Sequence, residues 1–249
     1  MWEIIIRRSG IKGCVQQRQS GAPGQVSPLP RTPVRLAVFD MDGVLVDAES
    51  SWVLVHEHFG TTNDDSLRAF MRGEIDDLEF IRRDIALWRD AHGAGPVAWK
   101  EVQGVLDRAP LVPGAVETLQ ELGRSGVRTA IVSGGLLHLA RRLAAEGGVD
   151  HVHANDVEVD ARGFLTGEGR APVPLKDKSS IVRALQRETG APPGATAVVG
   201  NSLIDVPMFA LAAVSIAFNP VDTDTARAAK HIVLGRDLRA VLPLILGDG

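Results

Sequence analysis

The sequence predicts an α/β protein built on a doubly wound parallel sheet, with an all-helical cap inserted into it. Short apolar runs such as residues 36–39 and 196–199 are typical of strands that are buried on both faces. Helical segments separate these runs, and strands that alternate with helices form parallel sheets. One long stretch, 49–107, differs because its apolar residues recur only at intervals of three and four.

The folded part is predicted to begin near Val34. Residues 15–33 are rich in Gln, Ser, Gly and Pro, and such a segment buries too little apolar surface to fold. We therefore predict three parts: a disordered tail (1–33), a core domain (34–48 and 109–249) and a helical cap domain (49–108).

Beyond the cap, helical and strand patterns alternate and are separated by turn-forming residues. The predicted elements are helices at 115–124, 136–146 and 179–189, strands at 128–132, 196–199 and 215–218, and a hairpin over 152–166.

The composition of the 249 residues is that of a globular enzyme, with 45% hydrophobic and 23% charged residues. The formal net charge of −4 offers no basic surface for nucleic acid. No apolar run reaches the roughly 18 residues that cross a bilayer, and the N-terminal segment lacks the charge order of a secretory signal. The only cysteine, Cys14, agrees with a reducing compartment. We expect a cytoplasmic monomer or homodimer that binds neither nucleic acid nor membrane.

Two carboxylates follow the first predicted strand at the point where it ends. Asp40 and Asp42 are spaced by two residues and can point into one site. Like charges so close repel each other, so a cation such as Mg²⁺ is expected between them. A carboxylate can attack phosphorus to form an acyl-phosphate, and its neighbour can pass a proton to the leaving group. An Asp-x-Asp sequence also occurs as a simple acidic turn, so this pattern alone leaves both interpretations open.

Three further polar clusters follow predicted strands or begin a predicted helix. Ser133-Gly134-Gly135 offers a hydroxyl and backbone amides that can hold phosphate. Lys178 can neutralise a phosphoryl group as it gains charge, and Asn201 and Asp205 offer oxygen ligands for Mg²⁺. Each cluster is also common as a turn, a charged helix start or a loop. Ligands of doubly wound sheets bind at the carboxyl ends of the strands, so we expect all four clusters to converge there.

Together these clusters resemble the four sequence motifs of the haloacid dehalogenase superfamily of phosphatases. In motif order, the matching residues are Asp40 and Asp42, then Ser133, then Lys178, then Asn201 and Asp205. The resemblance implies a Rossmann-like core, with the helical insert in the place of that superfamily's C1-type cap. It also implies that Asp40 is the nucleophile, that Asp42 transfers protons and that Lys178 supports catalysis. The implied Mg²⁺ ligands are Asp40, the main-chain carbonyl of Asp42, Asn201 and Asp205, the last directly or through water.

A narrower resemblance, from about Val34 to the C-terminus, is to phosphoserine phosphatases. It is carried by the cap segment 70–74, the hairpin segment 163–167 and the ending 236–239. By position, Glu49 matches the acidic residue that meets the substrate amino group, and Arg82 matches the cap arginine that holds the substrate carboxylate. The pairing of charges fits these roles. An acid at a helix start and a surface arginine are the structural alternatives.

Three positions depart from the pattern of phosphoserine phosphatases. Gly43 stands where a hydroxyl residue is usual, Asn201 where the metal-binding residue is an aspartate, and Ile204 where asparagine is frequent. An amide oxygen can still coordinate magnesium, but the loss of one negative charge is expected to weaken the site.

The sequence therefore predicts an Mg²⁺-dependent phosphomonoester hydrolase that acts through an aspartyl-phosphate on Asp40. The predicted substrate is O-phospho-L-serine, which would place the enzyme in serine biosynthesis. The enzymatic alternatives are a phosphatase for another small phosphorylated metabolite, such as a sugar phosphate or phosphoglycolate, and a phosphotransferase. The non-enzymatic alternative is an inactive binding protein of the same fold, which only Asn201 favours.

Other patterns in the sequence support no further site. The histidine pairs 56/58 and 151/153 lack a convincing third ligand for zinc. Trp52, Trp88 and Trp99 are predicted to pack in the cap or at its edge. The sequence contains neither a dinucleotide-binding fingerprint nor a Walker loop.

Overall fold

The computed structural model describes residues 14–17 and 32–247. The strands in this part of the chain are β1 (Cys14–Gln17), β2 (Leu36–Phe39), β3 (Arg128–Leu136), β4 (His151–Val159), β5 (Leu165–Arg170), β6 (Thr196–Gly200), β7 (Val214–Phe218) and β8 (His231–Leu234). The α-helices are α1 (Ser51–Phe59), α2 (Asp64–Arg72), α3 (Asp77–Ala91), α4 (Trp99–Leu106), α5 (Ala115–Arg124), α6 (Leu137–Gly147), α7 (Ser179–Thr189), α8 (Val206–Phe209), α9 (Thr223–Ala228) and α10 (Leu242–Leu246). Short 3₁₀ turns cover Pro193–Ala195, Leu203–Asp205 and Leu238–Val241.

The strands form one sheet in the order β1-β8-β7-β6-β2-β3-β4-β5. Neighbouring strands from β8 to β4 run parallel, whereas β1 and β5 are antiparallel additions at the two edges. From β2 onward, the strands β3 and β4 lie on one side of β2, and the later strands β6, β7 and β8 lie on the other side. This confirms the predicted doubly wound α/β fold and makes β2 the switch point, beside which such folds bind ligands.

The four residues of β2 show why the sheet is covered on both faces. Ala37 and Phe39 face a core cluster that includes Leu119 of α5, whereas Leu36 and Val38 face a second cluster that includes Val182 of α7. Successive side chains of a strand point to opposite faces, so a continuous apolar run requires apolar partners on both sides. The run at the start of the folded chain is therefore a central strand.

Helices α1 to α4 lie between β2 and α5 in the chain and hold the residues of the predicted cap. The fully buried Trp88 stacks on Trp52, with ring centroids 5.7 Å apart, and on Phe59, at 6.2 Å. These rings join α1 to α3, as expected for aromatic residues that pack inside the insert. We keep the boundaries of the cap as a domain, 49–108, as a proposal.

Three features of the sheet differ from the prediction. Cys14–Gln17, within the predicted tail, form β1 and pair with β8, because the edge of a sheet offers unpaired backbone groups. The other residues of 1–31 lie outside the described residues. Strand β8 was not predicted, and β3 continues beyond residue 132 through Ser133–Leu136 with a register shift. Among the described helices, none is both long and apolar enough to cross a membrane.

Candidate active site

Asp40 lies directly after β2, where the strand ends in the middle of the sheet. Its backbone N–H donates to Val199 O of β6 at 2.9 Å, so the neighbouring strand fixes its position. The residue is only 5% exposed, and its Oδ1 accepts a hydrogen bond from the N–H of Met41 at 2.8 Å. Within the described residues, the polar contacts of the Asp40 carboxylate all go to Oδ1, which leaves Oδ2 free of protein donors.

Lys178 joins Asp40 to Asp205 at the carboxyl ends of β2 and β6, beside the start of α7. Its Nζ lies 2.9 Å from Oδ1 of Asp40 and 2.8 Å from Oδ1 of Asp205. All three residues are at most 5% exposed. The ion pairs explain how a lysine can be buried here, since a buried charge requires a partner.

Burial and the nearby charges shift the pKa values of Asp40 and Lys178. Burial, and then the nearby carboxylate of Asp205, raise the pKa of Asp40 to about 7, although Lys178 opposes the rise. Burial alone would lower the pKa of Lys178, but Asp205 and Asp40 outweigh it and raise that pKa above its usual range. Lys178 therefore stays a cation between two acidic groups.

Asp205 holds the loop that follows β6. Its Oδ2 accepts hydrogen bonds from the backbone N–H of Asn201 at 2.9 Å and of Ser202 at 3.1 Å, while Oδ1 meets Lys178. A Cβ on Gly200 would lie 2.5–2.7 Å from Asp205, so only glycine leaves room for the carboxylate. Both oxygens of Asp205 are thus occupied by protein donors, and the residue positions Lys178 and the Asn201 loop.

Asp42 faces the beginning of the insert. Its Oδ2 accepts a hydrogen bond from Ser51 Oγ at 3.0 Å, and Ser51 Oγ in turn accepts one from the backbone N–H of Leu136 at 2.9 Å. Oδ1 of Asp42 is buried without a partner among the described residues. Burial raises the pKa of Asp42 to about 6, although the hydrogen bonds from Ser51 lower it. Sequence reasoning missed Ser51, whose only signal was its position at the start of α1.

The Ser133-Gly134-Gly135 segment is the irregular end of β3 and lies against Asp42 and Trp52. Ser133 is 1% exposed, and its Oγ accepts a hydrogen bond from the N–H of Gly135 at 3.0 Å. The carbonyl of Gly134 accepts one from Trp52 Nε1 at 3.0 Å. A Cβ on Gly135 would lie 2.5 Å from both Asp42 Oδ2 and Ser51 Oγ. Glycine is therefore required for this close approach, and Trp52 ties α1 to the same segment.

Asn201 and Gly43 are in contact, although they are far apart in the sequence. A Cβ built on Gly43 would lie 2.0 Å from Nδ2 and 3.0 Å from Cγ of Asn201. Asn201 is 8% exposed, and Gly43 has φ +74°, in the left-handed region that favours glycine. Two of the three departures noted in the sequence therefore occur at one place in the structure.

The two residues predicted to bind the substrate lie outside the hydrogen-bonded cluster around Asp40. Glu49 is exposed just before α1 begins, two residues from Ser51. Arg82 of α3 donates from Nε to Glu168 Oε2 of β5 at 2.7 Å, and its side chain is 42% exposed. The structure thus brings together Asp40, Asp42, Ser133, Gly134, Gly135, Lys178, Asn201 and Asp205, and shows no contact of Glu49 or Arg82 with them.

A family model of haloacid dehalogenase-like hydrolases matches residues 37–210, which is more than half of the chain. The chain belongs to this family. The residues that carry the four motifs are the ones that meet at the carboxyl end of β2.

Relatives within this family have similar sequences and structures. A phosphoserine phosphatase of Archaeoglobus fulgidus is 34% identical over 188 residues, which cover 74% of this chain and 52% of that protein. One of Idiomarina loihiensis is 34% identical over 186 residues, which cover 74% of this chain and 81% of that protein. A phosphoserine phosphatase solved as a phospho-aspartyl intermediate analogue has a TM-score of 0.71 at 26% identity, with 86% of this chain and all of that chain covered. The chain spans about half the length of the archaeal relative.

Family membership implies a magnesium ion, and the donors of this chain fit one. Asp40, Asn201 and the main-chain carbonyl of Asp42 offer oxygen ligands, which Mg²⁺ prefers. The unpartnered Oδ1 of Asp42 is a further buried acceptor at the same place. Within the described residues no group of three His, Cys, Asp or Glu side chains is arranged as a metal site. The magnesium site is not such a group, because two of its ligands would be an amide and a main-chain carbonyl.

Proposed function

We propose that this chain is a phosphomonoester hydrolase that forms an aspartyl-phosphate on Asp40, with O-phospho-L-serine as its substrate. The observation that carries the proposal is the buried Asp40–Lys178–Asp205 group beside Asp42 at the carboxyl end of β2. The proposed nucleophile Asp40 and the proposed proton carrier Asp42 lie there with the Lys178 cation, and the chain belongs to a family of hydrolases.

The first step is the attack of Asp40 on phosphorus. Oδ2 accepts no hydrogen bond from a described residue, so it is the carboxylate oxygen available to form the new bond. The bond from phosphorus to the substrate oxygen breaks, and Asp42 gives that oxygen a proton. Oδ1 of Asp42 is the atom that can carry this proton, because Oδ2 is held by Ser51.

The second step reverses the role of Asp42. Its carboxylate takes a proton from a water molecule, the water oxygen attacks phosphorus, and the bond to Asp40 breaks to release inorganic phosphate. Asp205 keeps the Lys178 ammonium beside Asp40 in both steps. A fixed cation at this place stabilises the negative charge that develops on the phosphoryl group.

The phosphate group would be held by Ser133 and Lys178. Ser133 Oγ already accepts from the N–H of Gly135, so its own O–H is free to donate to a phosphate oxygen. Mg²⁺ would be held by Asp40, Asn201 and the main-chain carbonyl of Asp42, and when bound it neutralises phosphate charge. Because Asp205 is fully engaged by protein donors, it supports the metal site without direct coordination.

The choice of O-phospho-L-serine is supported by the relatives, several of which are phosphoserine phosphatases. Glu49 would meet the substrate ammonium and Arg82 the carboxylate. Arg82 is held by Glu168 in this structure, so it would exchange that partner for the substrate. The single cysteine, Cys14, supports the proposed cytoplasmic location.

The test is phosphate release from L-phosphoserine, phosphothreonine, phosphoglycolate and sugar phosphates, with and without Mg²⁺. Asp40→Asn should abolish turnover of every ester. Arg82→Gln should lower kcat/KM for L-phosphoserine by about tenfold or more, which is the value of a charged hydrogen bond. Arg83→Gln is the matched control, since Arg83 is similarly exposed on α3 and pairs with Glu79.

Each alternative has its own outcome in this test. Turnover confined to the other esters would keep the mechanism and overturn the substrate. Transfer of phosphate to an added alcohol in preference to water would indicate a phosphotransferase. If no ester is hydrolysed with Mg²⁺ present, the inactive binding protein becomes the better explanation, and Asn201 its cause.

A further inference from the structure

A second polar cleft lies between the insert and the core, away from the Asp40 cluster. Its volume is about 220 Å³. The residues on its walls come from α4, α6 and the β4–β5 hairpin and include Trp99, Gln103, His138, Arg141, Asp156 and Arg170. None of these residues belongs to the proposed catalytic or substrate-binding set, so the cleft needs an explanation of its own.

The cleft contains charges of both signs that are not paired with each other. Arg141 makes no hydrogen bond or ion pair with any described residue, although a guanidinium has five donors. Among the described residues, the Arg170 guanidinium pairs only with Glu158, at 3.5 Å. Asp156 accepts a single hydrogen bond, from the N–H of Val157 to Oδ1 at 3.0 Å, and no arginine lies within 4.0 Å of it among the described residues.

Asp156 is partly withdrawn from water, which makes its missing partner significant. Burial raises the pKa of this carboxyl above its usual value, although Arg170 and Arg141 lower it. A half-buried carboxylate gains from a hydrogen-bonding cation. The two arginines are near enough to influence Asp156, yet too far away to satisfy it.

Another part of the cleft wall is held in a fixed position. His138 is engaged at both ring nitrogens, by Asp107 at 2.7 Å and by Gln103 at 3.4 Å. Its ring meets Trp99 edge to face, at 5.8 Å and 85°. The backbone N–H of Trp99 donates to Gly163 O at 2.8 Å, which joins α4 to the hairpin. The His138 ring is thus held by Asp107 and Gln103 and in turn packs against Trp99, so the two rings form a preformed wall.

We propose that this cleft binds a small zwitterionic amino acid and thereby links the insert to the core. The ligand carboxylate lies at Arg141 and Arg170, its ammonium at Asp156, and its side chain against Trp99. A simple anion would meet the arginines but be repelled by Asp156, whereas a zwitterion satisfies both signs of charge. The cleft has room for roughly seven groups of the size of water, at about 30 Å³ each, which suits a small amino acid.

The site does not depend on the proposed activity, and its occupancy has a structural consequence. Helix α6, which carries His138 and Arg141, begins directly after the Ser133–Leu136 end of β3. A ligand that touches α4 and α6 together binds only when the insert lies against the core. It therefore favours the arrangement seen here, in which the insert lies against the core.

The test is calorimetric titration of the full chain with glycine, L-alanine, L-serine, L-valine and L-glutamate. Alaninamide, which lacks the carboxylate, and propionate, which lacks the ammonium, should bind at least about tenfold more weakly than L-alanine, because each loses a charged hydrogen bond. Arg141→Gln and Asp156→Asn should each weaken L-alanine binding to the same extent. Arg187→Gln, an exposed arginine of α7 outside the cleft, should leave binding unchanged.

Three results would overturn the proposal. The first is that none of the amino acids binds. The second is that propionate binds as tightly as L-alanine, which would indicate a plain anion site. The third is that binding is lost in Arg82→Gln or Glu49→Gln and kept in Arg141→Gln, which would place the ligand in the proposed substrate site instead.

Discussion

The contact between Gly43 and Asn201 predicts a specific cost for adding one methyl group to the chain. In Gly43→Ala, the new Cβ would lie 2.0 Å from Asn201 Nδ2, which is well inside contact distance. Residue 43 also has φ +74°, where an L side chain is strained. The variant therefore suffers a backbone cost and a packing cost, and a second glycine allows the two to be separated.

Gly60 supplies the matched control. It has φ +66° at the end of α1, and nothing lies within 4 Å of a Cβ built on it. Gly60→Ala should lower the free energy of unfolding by about 1–2 kcal/mol, the cost of the left-handed conformation alone. Gly43→Ala should lose this amount and an additional ~1–3 kcal/mol, because Asn201 is displaced within a packed site. The total expected loss is about 2–5 kcal/mol.

Urea unfolding of both variants, and of each in an Asn201→Ala background, gives the required free energies. In the Asn201→Ala background, Gly43→Ala should lower the unfolding free energy only as much as Gly60→Ala does, because the clashing amide atoms are gone. The coupling between Gly60→Ala and Asn201→Ala should be near zero. Equal costs for Gly43→Ala and Gly60→Ala in the original chain, with Mg²⁺-dependent turnover retained, would refute this reasoning.

Three further predictions follow from the buried polar groups. Lys178→Met should lower the unfolding free energy by about 3–5 kcal/mol and turnover by about 10²–10³-fold, because two buried carboxylates lose their cation. An unfolding free energy in urea within ~0.5 kcal/mol of that of the unmodified chain would contradict this. Ser51→Ala should lower the unfolding free energy by about 1–3 kcal/mol and reduce phosphate release, because Asp42 loses its hydrogen-bond donor. The control Ser50→Ala should lower the unfolding free energy by about 1 kcal/mol, through loss of the helix cap, and leave turnover unchanged. Burial raises the pKa of Asp84 in the folded state, although His56 and Asn63 oppose the rise. Its contribution to stability is therefore full below about pH 4, the pKa of an unfolded aspartate, and is lost as pH rises through the folded pKa. The unfolding free energy of Asp84→Asn relative to that of the unmodified chain, measured in urea, should increase as the pH rises above about 4, and a constant difference would show that Asp84 has an ordinary pKa.

The parts of the fold that the sequence predicted correctly are those with a strong local pattern. The helices at 115–124 and 179–189 were predicted at their observed bounds, because each combines helical spacing with clear turn residues on either side. Strand β8, His231–Leu234, was missed because it is short, partly exposed and lies near the sheet edge, where tertiary pairing decides the structure. The pairing of Cys14–Gln17 with β8 has the same cause, since it depends on a partner more than 200 residues away.

The candidate site was predicted well where strand ends carried it and poorly where side chains of distant segments meet. The position of Asp40 followed from one apolar run, and the convergence with Lys178 and Asp205 followed from the topology of the sheet. No local pattern shows that Ser51 bridges Asp42 to Leu136, because that role requires the insert to be packed against β3.

The same limit applies to the residues proposed to select the substrate. The sequence matched Arg82 to a carboxylate-binding arginine, but it gave no sign that Glu168 of the β4–β5 hairpin already supplies a carboxylate. This pair is exposed, and exposed ion pairs contribute only about 0–1 kcal/mol. A substrate whose ammonium contacts Glu49 and whose phosphate contacts Lys178 can therefore displace Glu168 from Arg82 with its carboxylate. The proposed specificity thus depends on the weakness of the exposed Arg82–Glu168 ion pair, which the sequence around Arg82 does not reveal.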